Sequence, residues 1–227
     1  MPLNPNNLIM EDIQNRNNNN PDDFWNKQAQ IYKTAYVSMV ILAINILVFL
    51  ACIFVPSIYE RGILATDMIL SRREWYRVIT SMFLHADINH LFSNMIMLVL
   101  AGGIVEKHAG HLYYGIMFFV SGIVGNVLSM MYEIVGNIFR YSLGASGGTM
   151  GIVGYLAFWI FLNRKGLAKR RDMIFRLVFL TGFIIESCFF QKGANTVAHL
   201  GGFVTGFILG YISIIIMNNN KDMEGLA

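Results

Sequence analysis

Six apolar stretches, near residues 35–55, 90–105, 112–131, 144–162, 173–190 and 196–217, constrain this chain more than any other feature. Each is close to the roughly 20 residues that a helix needs to cross the hydrocarbon core of a bilayer. A segment in lipid must satisfy its own backbone hydrogen bonds, and a helix does so internally. The expectation is an all-α polytopic membrane protein, a bundle of six transmembrane helices. Composition agrees, since apolar residues make up 55% of the 227 and charged residues only 14%. A soluble domain carries charge at about a quarter of its positions. The net charge of +3 is small and scattered, and gives no ground for a nucleic-acid partner. Cys52 and Cys188 both fall inside apolar stretches, so neither a disulfide framework nor a metal site is expected of them.

The layout has three parts. Residues 1–34 are polar and Asn-rich, with no apolar run after a basic start, and read as a loose cytoplasmic tail with a short helix near Asp23–Lys33. Residues 35–217 hold the six spans, and 218–227 form a short second tail. Between the first two spans, the connection 56–89 mixes Tyr59, Trp75, Tyr76 and Phe83 with Arg61, Arg72, Arg73 and Arg77. Such a mixture suits a segment lying in the interface between headgroups and hydrocarbon. The densest basic cluster, Asn163 to Arg171, joins spans four and five. The positive-inside rule places it in the cytoplasm, and with six spans both termini follow.

Polar side chains at membrane depth are costly and mark candidate sites. In this topology spans two, four and six all begin at the outer face. Near those starts lie His90 and Asn94, Ser146, and His199, all within about 10 Å of the outer surface at about 1.5 Å per helical residue. Span six carries Gly202, Gly206 and Gly210 at intervals of four, and His199 points within roughly 20° of the last two at about 100° per residue. Span four opens Gly144-Ala145-Ser146-Gly147-Gly148, followed by Gly151 and Gly154. Faces of small residues let membrane helices approach backbone to backbone, as a Ser–His hydrogen bond between them requires. Ordinary glycine-mediated packing, with His199 satisfied by a carbonyl, accounts for these two helices equally well.

His90 and Asn94, four apart, share one helical face. They suit hydrogen bonding to an anionic oxygen, and Asn94 equally suits a bond that only ties two helices together. His85 lies five before His90 and does not share its face well. With no HExxH spacing and no converging carboxylate or cysteine, zinc is not expected. Glu186, an acid inside span five, invites a transporter reading; in the outer half of its span it reads better as structural. Glu106 closes span two beside Lys107 and His108 and reads as an interfacial anchor.

Several of these residues fall into known patterns. Gly144-Ala145-Ser146-Gly147 resembles the GxSG nucleophile motif of the rhomboid family, at the start of the fourth core helix. Ala198-His199-Leu200-Gly201-Gly202 resembles the family's AHxxG signature in the sixth. His85 through Asn94 is similar to its HxxxxHxxxN pattern, and Tyr76-Arg77 to the Trp-Arg pair of its first loop. Met150 stands where many relatives carry a Tyr stacked on the histidine, and Asn195 where many carry an Asp. The resemblance implies an intramembrane serine protease with a Ser146–His199 dyad. Ser146 N–H, His90 and Asn94 would form its oxyanion hole, and it would use no metal or cofactor. It implies transmembrane protein substrates cut near the outer end, and a gate formed by the Phe183–Phe190 face and the Gln191–Asn195 loop. A multi-pass protein of a bacterial cell membrane is expected. The rival expectations are a catalytically silent rhomboid-like binder of membrane proteins and a small transporter.

Overall fold

The structure is a computed structural model that describes residues 21–167, 178, 181–182, 194–219, 221 and 223. Helix α1, Pro21–Thr34, leads into α2, Tyr36–Phe54. The first long connection holds α3, Pro56–Gly62, strand β1, Leu64–Ala65, α4, Thr66–Arg72, and α5, Arg77–Thr80. Then follow α6, Ile88–Ala109, with a π turn over Leu98–Gly102, and α7, His111–Gly136. Strand β2, Tyr141–Ser142, precedes α8, Ser146–Leu167, and the last helix is α9, Thr196–Ile216.

Among the described residues, α2, α6, α7 and α9 are long and apolar enough to cross a membrane. Helix α8 is long enough at 22 residues, but glycine, serine and threonine dilute it. Its composition has a physical reason. It packs on α9 and α7 at the centre of the bundle, and every residue from Gly147 to Leu156 is buried. A helix surrounded by protein needs small residues for close approach more than it needs an apolar exterior. Helix α2 is the converse: its apolar stretch is only 17% buried, and Leu47 and Ile53 face outward. Four of the expected spans thus coincide with α2, α6, α7 and α9, and the apolar stretch 144–162 falls on α8. The expected span 173–190, with Glu186 and Cys188, lies outside the described residues apart from Val178, Thr181 and Gly182.

Two charged residues depart from their expected places at the lipid interface. Glu106 is fully buried and serves α2. The first N–H groups of a helix have no intrahelical acceptor, and Ala35 has no side chain to cap them. The Glu106 carboxylate reaches across from α6 and accepts from Val37 N and Ser38 N, each at 2.8 Å, and from Ser38 Oγ at 2.6 Å. Arg77 is likewise buried, donating to Glu74 Oε2 at 2.6 Å and to the Glu60 and Ile63 carbonyls at 3.0 and 2.9 Å. It holds α3 and α5 together around a small core of Leu64, Ile69 and Val78, which packs on Met130 of α7. Trp75 and Tyr76 remain exposed. The expected helix at 23–33 is α1, and it is no loose tail: its Ile31 is buried and faces Gly103 of α6.

Candidate active site

Ser146 is delivered by a short connection that the first loop braces. β2 pairs antiparallel with β1, Leu64 opposite Ser142 and Ala65 opposite Tyr141. Two residues on, Gly144 N–H donates to Ser81 O at 2.9 Å. Gly144 has φ +125°, a conformation that side chains rarely adopt. A Cβ there would also lie 2.8 Å from the His90 ring and 3.5 Å from Ser146 Oγ. The glycine therefore lets the chain turn and leaves room for imidazole and hydroxyl to share one space. Helix α8 then begins, its first bond running from Thr149 N–H to Ala145 O at 3.0 Å. The N–H groups of Ser146, Gly147 and Gly148 accordingly have no intrahelical acceptor and sit at the positive end of the helix dipole.

His199 lies in the first turn of α9. Asn195 caps that helix, its Oδ1 accepting from Ala198 N at 3.1 Å while its carbonyl takes the His199 N–H at 3.0 Å. The Asn195 amide also donates to Ser129 Oγ of α7 at 2.6 Å and Ser142 Oγ of β2 at 2.8 Å. One side chain thus starts the helix and ties it to two neighbours. His199 is buried, and its Nε2 lies 2.8 Å from Ser146 Oγ. Ser146 itself remains partly exposed.

The helices can come this close because of what they lack. A Cβ on Gly202 would fall on Gly147 O, and one on Gly206 on Gly151 O, so the backbones of α9 and α8 touch. Helix α7 joins them: a Cβ on Gly125 would lie 2.5 Å from Ala198 O, and Gly147 faces Gly122 in the same way. The sequence pattern of α8 and α9 announced their contact. The part played by Gly122 and Gly125 has no such signal, because α7 looks like any apolar span.

His90 and Asn94 stand beside the pair. Asn94 Nδ2 donates to His90 O at 2.9 Å, and its Oδ1 accepts from Thr149 Oγ1 at 3.3 Å. The single Thr149 hydroxyl proton is shared with Ser146 O at 3.0 Å, so the interhelical contact foreseen for Asn94 exists and leads to the serine. His85 corrects the wheel-based expectation. Its ring meets His90 edge to face at 5.0 Å, because it precedes the N-cap Asp87 of α6 and folds back outside the helical register. Burial, and secondly the neighbouring His90, push the His85 imidazole down to about 3, so it is neutral at ordinary pH. Among the described residues no group of three or more His, Cys, Asp or Glu converges as metal ligands would. Met150 is buried in α8. Of the expected gate, the Phe183–Phe190 face and residues 191–193 lie outside the described residues.

Asn195 is the site residue whose importance the sequence hid, since a lone Asn before an apolar run is a common N-cap. Asn195→Ala removes a cap worth about 1 kcal/mol and leaves the buried Ser129 hydroxyl without its donor. A loss of about 2 kcal/mol is expected. Asn195→Asp keeps the cap acceptor and loses the amide donors, so it should fall between. Unfolding of the three proteins in one detergent checks the order.

The Rhomboid domain matches residues 72–215, from the end of α4 into the last turn of α9. "RHOMBOID-like protein 1" of Arabidopsis thaliana is 29% identical over 159 residues, covering 70% of this chain and 40% of that protein. "Putative rhomboid protease YdcA" of Bacillus subtilis is 27% identical over 141 residues, covering 62% and 68% respectively. "Rhomboid-like protease 3" of Toxoplasma gondii is 30% identical over 157 residues, covering 69% and 56%. The chain spans about two-fifths to one half of the length of the plant relatives. The match covers more than half of the chain and includes both residues of the Ser146–His199 contact, and it makes this membrane protein a member of the rhomboid family.

Proposed function

We propose that this protein is an intramembrane serine endopeptidase that hydrolyses peptide bonds in or near the transmembrane segments of other membrane proteins. The observation that carries the reading is the 2.8 Å approach of His199 Nε2 to Ser146 Oγ, near the starts of α6, α8 and α9. A serine hydroxyl attacks poorly until a base takes its proton, and imidazole is suited to that near neutrality. His199 takes the Ser146 proton as Oγ bonds to the scissile carbonyl carbon. It returns that proton to the departing amine as the C–N bond breaks. Water then enters past the exposed edge of Ser146 and gives a proton to His199 as its oxygen bonds to the acyl carbon. The carboxylic acid leaves as the bond to Oγ breaks and His199 returns the proton to Ser146.

The developing oxyanion has donors within reach. The Ser146 N–H lies at a helix N-terminus, and His90 flanks the same small space across Gly144. Asn94 has two N–H bonds and uses one on the His90 carbonyl, leaving the other for the oxyanion. His90→Ala and Asn94→Ala should therefore lower turnover more than substrate binding, and one such donor is worth about 10²–10³ in rate. Steady-state kinetics on each variant and on the pair decides the matter, and wild-type turnover in all three would make both residues purely structural. Substrate helices hide their peptide bonds in their own hydrogen bonding, so glycine, proline or polar residues that ease local unwinding favour cleavage.

The remaining expected span, 173–190, completes a six-helix bundle in this reading, and the basic cluster puts both termini in the cytoplasm. Relatives from plants, one of them named mitochondrial, and from a bacterium share the domain. The apolar helices support an integral membrane protein, and relatives this varied give no support to a specifically bacterial membrane. The test is reconstitution in liposomes with a labelled single-span substrate, the products being mapped by mass spectrometry beside a Ser146→Ala control. Cleavage within or next to the span, absent in the control, supports the peptidase. Retention of uncut substrate by both proteins points to a silent binder, and solute flux without cleavage to a transporter.

A further inference from the structure

Between α2 and the first connection lies an apolar cavity of about 320 Å³. Ile44 and Val48 of α2, Ile58 of α3, and Phe83 and Leu84 after α5 form its walls. Ile44, Ile58 and Tyr76 are each more than a third exposed, so the cavity is a groove open at the protein surface and not a sealed void. Arg61 is the one charged residue in its lining. It contrasts with Arg77 nearby. Arg77 is buried with three acceptors, whereas Arg61 is exposed and has neither hydrogen bond nor ion pair among the described residues.

An apolar slot with a single unpaired guanidinium on a membrane-interface segment matches a molecule with a hydrocarbon chain and an anionic head. A guanidinium grips phosphate oxygens in a bidentate fork, better than it holds a zwitterion whose own ammonium competes. The groove, at about 320 Å³, is too small to take in a helix, which is about 10 Å across with its side chains, and its size suits a stretch of acyl chain. We propose that this groove binds one anionic phospholipid, an acyl chain lying along α2 at Ile44 and Val48 and the phosphate resting on Arg61. The site borders the dyad's supports: Thr80, in the same lining, donates to Gly62 O at 2.9 Å, and the next residue, Ser81, receives the Gly144 N–H. It stands apart from the peptidase reading and does not depend on it.

The experiment uses the delipidated full chain in detergent with phosphatidylglycerol or phosphatidylcholine of identical chains, and native mass spectrometry counts the lipids retained. One basic residue at a membrane surface favours an anionic lipid about fivefold. The wild type should therefore retain a single phosphatidylglycerol about fivefold more strongly than phosphatidylcholine. Arg61→Gln, at an exposed position, should erase that preference without changing the melting temperature of the lipid-free protein. Val48→Trp should fill the slot and weaken retention of both lipids. Equal retention of the two lipids by the wild type would overturn the proposal. So would a preference that survives Arg61→Gln, or retention that Val48→Trp leaves untouched.

Discussion

Ser146→Ala and His199→Ala should each reduce cleavage of a transmembrane substrate by several orders of magnitude while leaving the folded bundle in place. Members of a nucleophile–base unit are strongly non-additive, and losing either one costs on the order of 10⁶-fold in turnover in a serine protease. The double variant should therefore be scarcely slower than either single one. Stability should change little, because Ser146 is already small and partly exposed. Removal of the His199 ring leaves the glycine contacts of α9 with α8 untouched. Fragment yield and thermal unfolding, measured on the same samples, separate lost chemistry from lost fold. More than a few per cent residual activity in a clean Ser146→Ala preparation would contradict the dyad.

Gly206→Val should damage fold and activity together, and Gly202→Val should do the same nearer the dyad. A Cβ at either position falls on a carbonyl oxygen of α8, from Gly151 or Gly147. Backbone atoms cannot swing aside as the end of a flexible side chain can, so α9 must move bodily away from α8. Overpacking of this kind costs about 3 kcal/mol or more. The displacement also separates His199 from Ser146, and about 1 Å of misplacement costs about 10²-fold in rate. Specific activity per folded molecule is the telling readout. Normal activity in surviving Gly206→Val protein would show that the glycine face holds the bundle without positioning the pair.

Much of this was legible in the sequence because a bilayer makes strong demands. Spans had to be apolar and about 20 residues long, and so α2, α6, α7 and α9 stood out. Counting residues placed His90, Asn94, Ser146 and His199 at one end, and the intervals of four in α9 announced a close approach. What stayed hidden depended on which neighbour a side chain meets. A glutamate or an arginine near the end of a span looks the same whether it faces headgroups or another helix. Only the fold shows Glu106 capping α2 and Arg77 gathering the carbonyls of Glu60 and Ile63. His85 escaped because helical periodicity says nothing of residues before the N-cap. Asn195 escaped because its partners, Ser129 and Ser142, are 66 and 53 residues away in the chain.

The most direct measurement of the account is covalent capture of Ser146. A fluorophosphonate reacts with a serine whose hydroxyl is activated by a base and leaves other hydroxyls alone, so the adduct reports the nucleophile without any need for the natural substrate. Intact-protein mass and peptide mapping should find a single adduct, on Ser146, in the folded wild type. His199→Ala should slow its formation by at least about 10³-fold, and Thr149 and Ser129 should remain unlabelled. An unlabelled wild type, or a Ser146 that reacts as fast without His199, would contradict the claim that these two residues work as nucleophile and base.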